Sequence, residues 1–162
     1  MNFAPYPDWI DCVWLGSDRD GYLGGFITAG IGPIPLAALD LRRLVAVDVG
    51  SHLDQLFSVS NARLLVSVKI PDSYIALAER GLFVYDWTDV QSVYEAVAVP
   101  ANPIIVSSLP DDLRDVANAL RFNDLVFSEG EGIDVRGHFC CAESEVVKQD
   151  LLYLDKIRTP KN

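Results

Sequence analysis

The stretch that decides the fold is residues 9–29, WIDCVWLGSDRDGYLGGFITA. Residues 9–15 are rich in β-branched and aromatic side chains, which favour a strand. Asp20-Gly21 supplies the positive φ that a tight hairpin turn needs, and residues 22–29 then return as a second strand. Gly24 and Gly25 inside that strand predict either a bulge or a close approach of the backbone to another group. An antiparallel hairpin therefore begins the sheet.

The remaining chain mixes short helices and strands without the strict alternation of a doubly wound α/β fold. Turn residues and apolar spacing predict helices over 36–44, 51–57, 71–81 and 110–121. Apolar and β-branched runs predict strands over 64–68, 82–87, 94–99, 104–107, 124–128 and 133–141. We expect one α+β domain over residues 1–155, with short helices packed on a mainly antiparallel sheet, and a flexible tail over 156–162.

The helix over 110–121 has the clearest pattern of the four. Its apolar positions recur at helical spacing and form one stripe, made of Leu109, Leu113, Val116 and Leu120. Ser108 precedes the helix as the predicted N-cap. Gly81 is the predicted C-cap of the helix over 71–81, and Ser51 is predicted to begin a capping box for the helix over 51–57.

Composition places the chain among acidic globular domains. It has 162 residues, half of them apolar, with 13 Lys and Arg against 23 Asp and Glu, which gives a formal net charge of −10. This charge repels a phosphate backbone and disfavours nucleic-acid binding, and a basic protein partner is compatible with it. The sequence has no uncharged apolar window of about 18 residues, and Asp8 and Asp11 with no Lys or Arg do not suit a secretory signal. We therefore expect a cytoplasmic protein that does not bind membranes.

The residues that suit catalysis or metal binding do not form a known motif. His138, Cys140 and Cys141 lie close in sequence, and Cys12 or His52 can join them only through the fold. The spacing lacks the Cys-x-x-Cys pair that structural zinc usually shows, which favours reduced, inert thiols. Residues 18–21 lack the outer ligands of a calcium loop, and the glycine-rich residues 24–33 lack a P-loop ending. We expect no catalytic residue, metal or cofactor.

Two groups of acidic residues are the candidate partner-binding surface. The first places a tryptophan between acids at a predicted strand end, a pattern typical of interfaces, although that tryptophan can instead cover the core. The second lies in the first turns of the helix over 110–121, where the helix dipole favours negative charge. The candidates are Asp86, Trp87, Asp89, Asp111, Asp112 and Asp115.

Residues 9–120 resemble small bacterial immunity proteins of polymorphic or contact-dependent toxin systems. The resemblance is carried by residues 13–15, 18–21, 24–35 and 81–90 and by Leu109-Pro110. It implies a small, cytosolic, acidic protein without catalytic residues that binds and blocks a toxin, often a basic nuclease. Two alternatives stay open: a small cytosolic hydrolase that uses Cys and His chemistry, including a Cys141–His52 dyad, and an adaptor domain of a larger assembly.

Overall fold

The computed structural model describes the backbone of residues 2–158 and all of their side chains except those of residues 151, 154, 155, 157 and 158. Within this range the strands are β1 Val13–Ser17, β2 Leu23–Ile27, β3 Ile34–Pro35, β4 Ala62–Leu64, β5 Phe83–Thr88, β6 Val93–Pro100, β7 Gly132–Ile133 and β8 Cys141–Ala142. The α-helices are α1 Ala46–Leu53, α2 Asp72–Glu79, α3 Asp111–Ala119 and α4 Glu145–Arg158. Residues 159–162 of the predicted flexible tail lie outside the described residues, and α4 includes 156–158.

The main sheet is mostly antiparallel and confirms the predicted α+β class. Its strand order is β1-β2-β5-β6, and β4 and β7 both pair with the outer edge of β6. The β2–β5 pair is parallel, and the other pairs of this sheet are antiparallel. Because β4 and β7 are only three and two residues long, they cover the long β6 in two pieces. A small second sheet joins β3 and β8.

The N-terminal hairpin forms as predicted, with strands that begin later than expected. β1 and β2 pair in regular register from Val13↔Ile27 to Ser17↔Leu23, so the predicted bulge at the glycines is wrong. The alternative, a close approach, is confirmed, because a Cβ on Gly24 would lie 2.8 Å from the ring of Phe127. Gly21 has the positive φ, 86°, that the turn requires.

The turn of the hairpin is held by the fully buried side chain of Asp18. One carboxylate oxygen accepts hydrogen bonds from the backbone N–H groups of Asp20 and Tyr22, at 3.0 and 2.9 Å. The other oxygen accepts from the N–H of Phe127, 109 residues later in the chain, at 3.0 Å. Asp18 therefore fixes the turn and also ties it to the segment that packs against Gly24.

One face of the sheet is covered by helices, and the other face carries a stack of aromatic side chains. On one face lie α1 and α2: a Cβ on Gly50 would be 3.4 Å from Val13, and a Cβ on Gly25 would be 3.8 Å from Leu77. On the other face Phe26 stacks against Trp14 on one side and Tyr85 on the other, at 4.0 and 4.8 Å between ring centroids. This aromatic stack is the centre of the core, since all three rings are buried.

A buried chain of hydrogen bonds satisfies the side-chain polar atoms of Trp14 and Tyr94 in this aromatic core. Trp14 Nε1 donates to the hydroxyl of Tyr94 at 3.1 Å, and that hydroxyl donates to the carbonyl of Pro33 at 2.9 Å. The bonds join β1, β6 and the loop before β3, so buried polar groups here also fix the relation between distant segments.

Several predicted elements are wrong in type. The predicted strands over 104–107 and 124–128 are replaced by the 3-10 helices Val106–Ser108 and Phe127–Glu129, and 133–141 forms only short pieces of strand. The expected helix over 36–44 is a single 3-10 turn, Leu36–Leu39. It stops because the buried carboxylate of Asp40 binds the N–H and guanidinium of Arg42 and the guanidinium of Arg43.

The helix ends show how well the capping signals worked. Gly81 follows α2 with φ 91°, which confirms it as the predicted C-cap glycine. Ser51 lies in the last turn of α1, where its hydroxyl donates to Asp48, so the predicted capping box is wrong. Ser108 also fails as the cap of α3, because its hydroxyl donates to the carbonyl of Ile105 instead.

Candidate functional site

Trp87, the predicted surface anchor, is part of the core. Its side chain is only 6% exposed and packs edge-to-face on Tyr94, with 5.4 Å between ring centroids. Gly32 allows this packing, because a Cβ there would lie 2.9 Å from Trp87. The alternative interpretation of Trp87, that it covers the core, is the one the structure supports. Its position on β5 directs the ring into the protein, so it offers no face to a partner.

Asp86 lies beside Trp87 on β5 but points to the opposite face of the sheet. It is half-buried, and the hydroxyl of Tyr74 on α2 donates to it. Its other oxygen has no hydrogen-bond partner among the described residues. Burial raises the pKa of Asp86; the hydrogen bond from Tyr74 opposes this effect, and the negative charge of Asp11 adds to it. Asp89, by contrast, is exposed in the turn after β5.

The three acids of α3 are exposed as predicted but are partly neutralised by arginines. Arg114 pairs with Asp111 at 2.7 Å, and Arg43 approaches Asp115 at 3.6 Å. Together with Asp112 these acids line a shallow depression of about 360 Å³ on one side of the helix. Such exposed ion pairs are weak, and the arginines reduce the attraction this surface has for a cationic partner.

The elements that carry the two groups of acids, β5 and α3, lie near opposite ends of β1. Asp86 lies across from Ile27, which in turn pairs with Val13 at the start of β1. The last turn of α3 bonds to Ser17 at the other end, where Ser17 Oγ donates to the carbonyl of Ala117 at 2.8 Å. Because Trp87 is buried and the two groups of acids lie near opposite ends of β1, the structure does not gather the predicted residues around one anchor.

An exposed tryptophan between acids does occur, at Trp9, where sequence reasoning placed a strand. Its side chain is 70% exposed, and Asp8 and Asp11 flank it with Ile10 in between. Its backbone has φ 61°, a left-handed conformation that is unfavourable by roughly 1–2 kcal/mol for a residue with a Cβ. The N–H of Trp9 donates to the carbonyl of Gly30 at 2.9 Å, which holds this conformation.

Val47 of α1 extends this exposed region, and we call Asp8, Trp9, Ile10, Asp11 and Val47 the Trp9 surface. On one side of Val47 is an apolar groove of about 370 Å³, bounded by α1 and the N-terminal segment and lined by Ala4, Pro5, Tyr6, Pro7, Asp8, Ile10, Leu39, Val45 and Val47. On the other side is a cleft of about 270 Å³ between α1 and α2, lined by Asp11, Cys12, Val13, Ile27, Val47, Gly50, Asp54, Ser73, Ala76 and Leu77.

The charges that line these two depressions are all negative. Asp8 is the charged residue of the groove, and Asp11 and Asp54 are those of the cleft. One oxygen of Asp11 accepts a hydrogen bond from the N–H of Ala29 at 3.0 Å, which fixes its carboxylate at the cleft. Burial raises the pKa of the Cys12 thiol, so this group remains neutral near pH 7.

Cys141, His52 and His138 each contact a different group in the structure. Cys141 lies on β8 and donates to the carbonyl of Phe139, and burial raises the pKa of its thiol to about 12. His52 contacts the carbonyl of Asp48 through Nδ1 at 2.9 Å, and His138 Nδ1 lies 3.1 Å from Asp124. Among the residues that the structure describes, no three His, Cys, Asp or Glu side chains are grouped to hold a metal ion.

The fold and surface define a small acidic α+β domain with an exposed aromatic. No protein-family model, curated protein or solved structure matches the chain. Within residues 2–158, none of the helices combines the length and apolar character needed to cross a membrane. Function is therefore inferred from the geometry and charge of the molecule itself.

Proposed function

We propose that this chain is a non-catalytic protein-binding domain that neutralises a basic bacterial toxin in the cytoplasm, as the immunity proteins it resembles do. The observation that supports the proposal is the exposed, acid-flanked side chain of Trp9. Tryptophan is the residue type most enriched at interface hot spots, and a large exposed aromatic beside apolar depressions marks an interaction surface.

The strain at Trp9 supports a binding role further. A left-handed backbone is disfavoured for tryptophan, and folding alone gains little from a side chain that is mostly in water. Such conformations persist where the surrounding structure enforces them and cluster at functional sites. The hydrogen bond to Gly30 enforces this one, so the backbone that carries the ring is already fixed before a partner arrives.

Charge supports a basic partner. The net charge of −10 steers a cationic protein toward this domain, and Asp8 and Asp11 direct it to the Trp9 surface. The exposed acids Asp89, Asp111, Asp112 and Asp115 contribute to the same long-range attraction, although arginines partly neutralise two of them. This steering is screened by salt, so the association rate should fall as ionic strength rises.

The proposal is tested by co-expressing the chain with the product of the neighbouring gene and measuring complex formation and growth. We expect a stable complex and protection of the cells from that product. Trp9→Ala should weaken binding by about 2 kcal/mol, roughly 30-fold in Kd, because it truncates the central aromatic. Trp9→Gly should weaken binding equally while relieving the strained φ, which separates loss of contact from loss of fold.

Phe57→Ala is the matched control for this experiment. Phe57 is a large aromatic that is 87% exposed, and it lines a different cleft with Arg80, Ile104 and Leu109. Its truncation should leave the Kd unchanged within about twofold. The proposal fails if no complex forms and growth is not protected. If the complex forms and only Phe57→Ala weakens it, the partner binds elsewhere on the protein.

A further inference from the structure

The groove beside Trp9 is apolar and open, and the charged residue in its described lining is Asp8. Its walls are the N-terminal segment over residues 4–10 and the start of α1, and Val47 on α1 is 46% exposed. Exposed apolar side chains also occur next to it at Ile10 and Trp9, so the groove continues into the Trp9 surface. An apolar depression of this kind with charge of one sign at its border is suited to an amphipathic partner of the opposite charge.

We propose that this groove docks a basic amphipathic helix of the toxin that the chain neutralises. The inference rests on the proposed function, which supplies a basic protein partner. Apolar side chains of that helix occupy the groove between Pro5 and Val47, and its Lys and Arg side chains face the carboxylates of Asp8, Asp11 and Asp54. The charge complementarity decides the occupant: among the described residues, the charged side chains lining the groove and the adjoining cleft are those of Asp8, Asp11 and Asp54, and Arg80 contacts only the backbone carbonyl of Asp54, at 3.1 Å.

The backbone of the groove wall explains why a helix fits better than a strand. An added strand needs free N–H groups along the wall. Pro5 and Pro7 have none, and the N–H of Ala4 already donates to the carbonyl of Leu39. The N–H groups of Asp8, Trp9 and Ile10 donate to Tyr6, Gly30 and Pro7. Along residues 4–10 this leaves only the N–H of Tyr6 for an added strand, which is too few donors, so recognition here relies on side chains, as it does for a helix lying in a groove.

The test uses full-length protein and a synthetic amphipathic peptide of leucine and lysine at helical spacing, with a second peptide in which glutamate replaces lysine. Binding is followed by amide chemical shifts and by calorimetry. The lysine peptide should shift the amides of Ile10, Leu39 and Val47 and become helical, and the glutamate peptide should not. Val47→Arg should weaken the lysine peptide roughly tenfold or more, because it fills the groove and repels the cations.

Val90→Arg is the matched control. Val90 is 95% exposed in the turn after β5, and Val90→Arg adds the same charge as Val47→Arg. The affinity of the Val90→Arg variant for the lysine peptide should therefore fall less than about threefold. The inference is overturned if both variants weaken peptide binding equally. It is also overturned if the peptide shifts the amides of acidic residues all over the protein rather than those around the groove. The same variants are then tested on the neighbouring gene product. A complex that Val47→Arg leaves intact overturns the groove alone, whereas absence of any complex overturns the proposed function.

Discussion

Asp18 gives the sharpest test of how this fold is held together. Its buried carboxylate accepts three backbone hydrogen bonds, from Asp20, Tyr22 and Phe127. Hydrogen bonds to a charged group contribute about 1.5–3 kcal/mol each, and a buried donor left without a partner is unfavourable by a similar amount. Asp18→Ala removes both acceptor oxygens and with them all three hydrogen bonds, so we expect it to lower the free energy of unfolding by about 4–5 kcal/mol.

Asp18→Asn separates the two halves of this network. The amide oxygen can still accept from Asp20 and Tyr22, but the NH₂ group then faces the N–H of Phe127. We expect a loss of about 3 kcal/mol, from one lost bond and one donor facing another. Urea unfolding followed by circular dichroism measures both variants, and an unchanged m-value shows that stability alone has changed.

Asp20→Asn is the matched control for Asp18. Asp20 lies in the same turn, but its side chain is exposed, and among the described residues its ion pair is with Arg19, at 3.5 Å. Its replacement should change the free energy of unfolding by less than about 0.5 kcal/mol. Equal losses for Asp18→Asn and Asp20→Asn would refute the reasoning, because the bond to Phe127 would then contribute nothing.

Two further predictions concern the sheet. Gly24→Ala places a Cβ 2.8 Å from the buried ring of Phe127 and should lower the free energy of unfolding by about 1–3 kcal/mol, whereas Gly137→Ala, where no described atom lies within 4 Å, should not. Burial raises the pKa of Asp86 above the ordinary 3.8, so its charged form is unfavourable in the folded state. As pH rises from about 4 to 7, Asp86→Asn should therefore gain stability relative to the parent protein, as measured by urea unfolding at each pH. A flat difference for Asp86→Asn across this range contradicts the second prediction.

Local chemistry predicted the parts of this fold that depend on few residues. The Asp20-Gly21 turn needs only a residue that accepts positive φ, and Gly81 ends α2 for the same reason. The stripe on α3 buries Leu113 and Val116 at helical spacing, which any apolar face would require. Each of these signals depends on a few neighbouring residues, so tertiary contacts did not change the local structure that they predict.

The elements that were predicted wrongly depend on specific contacts, some distant in sequence and some local. Residues 104–107 have the composition of a strand, but the edge of β6 is already filled by β4 and β7, and Ile105 makes only an isolated bridge with Tyr22. Asp40 ends the 3-10 turn through Arg42 and Arg43, a local arrangement that apolar spacing does not reveal. Strand propensity is a preference for a pleated, half-buried position, and it forms no strand without an available neighbour.

The two tryptophans between acids show why the site was harder to predict than the fold. Asp8-Trp9-Ile10-Asp11 and Asp86-Trp87-Thr88-Asp89 have the same pattern, an aromatic with an acid directly before it and another two residues after it. Their burial is opposite, 70% exposed for Trp9 and 6% for Trp87. On β5 the register sends Trp87 to the face where Tyr94 lies, and the alternation then sends Asp86 to the other face. Trp9 lies before the first paired residue of β1, so no register directs it inward, and its left-handed backbone turns the ring to solvent. Where a tryptophan between acids falls outside a paired strand, the pattern indicates an exposed surface. Inside a paired strand, the register decides whether the tryptophan is buried or exposed.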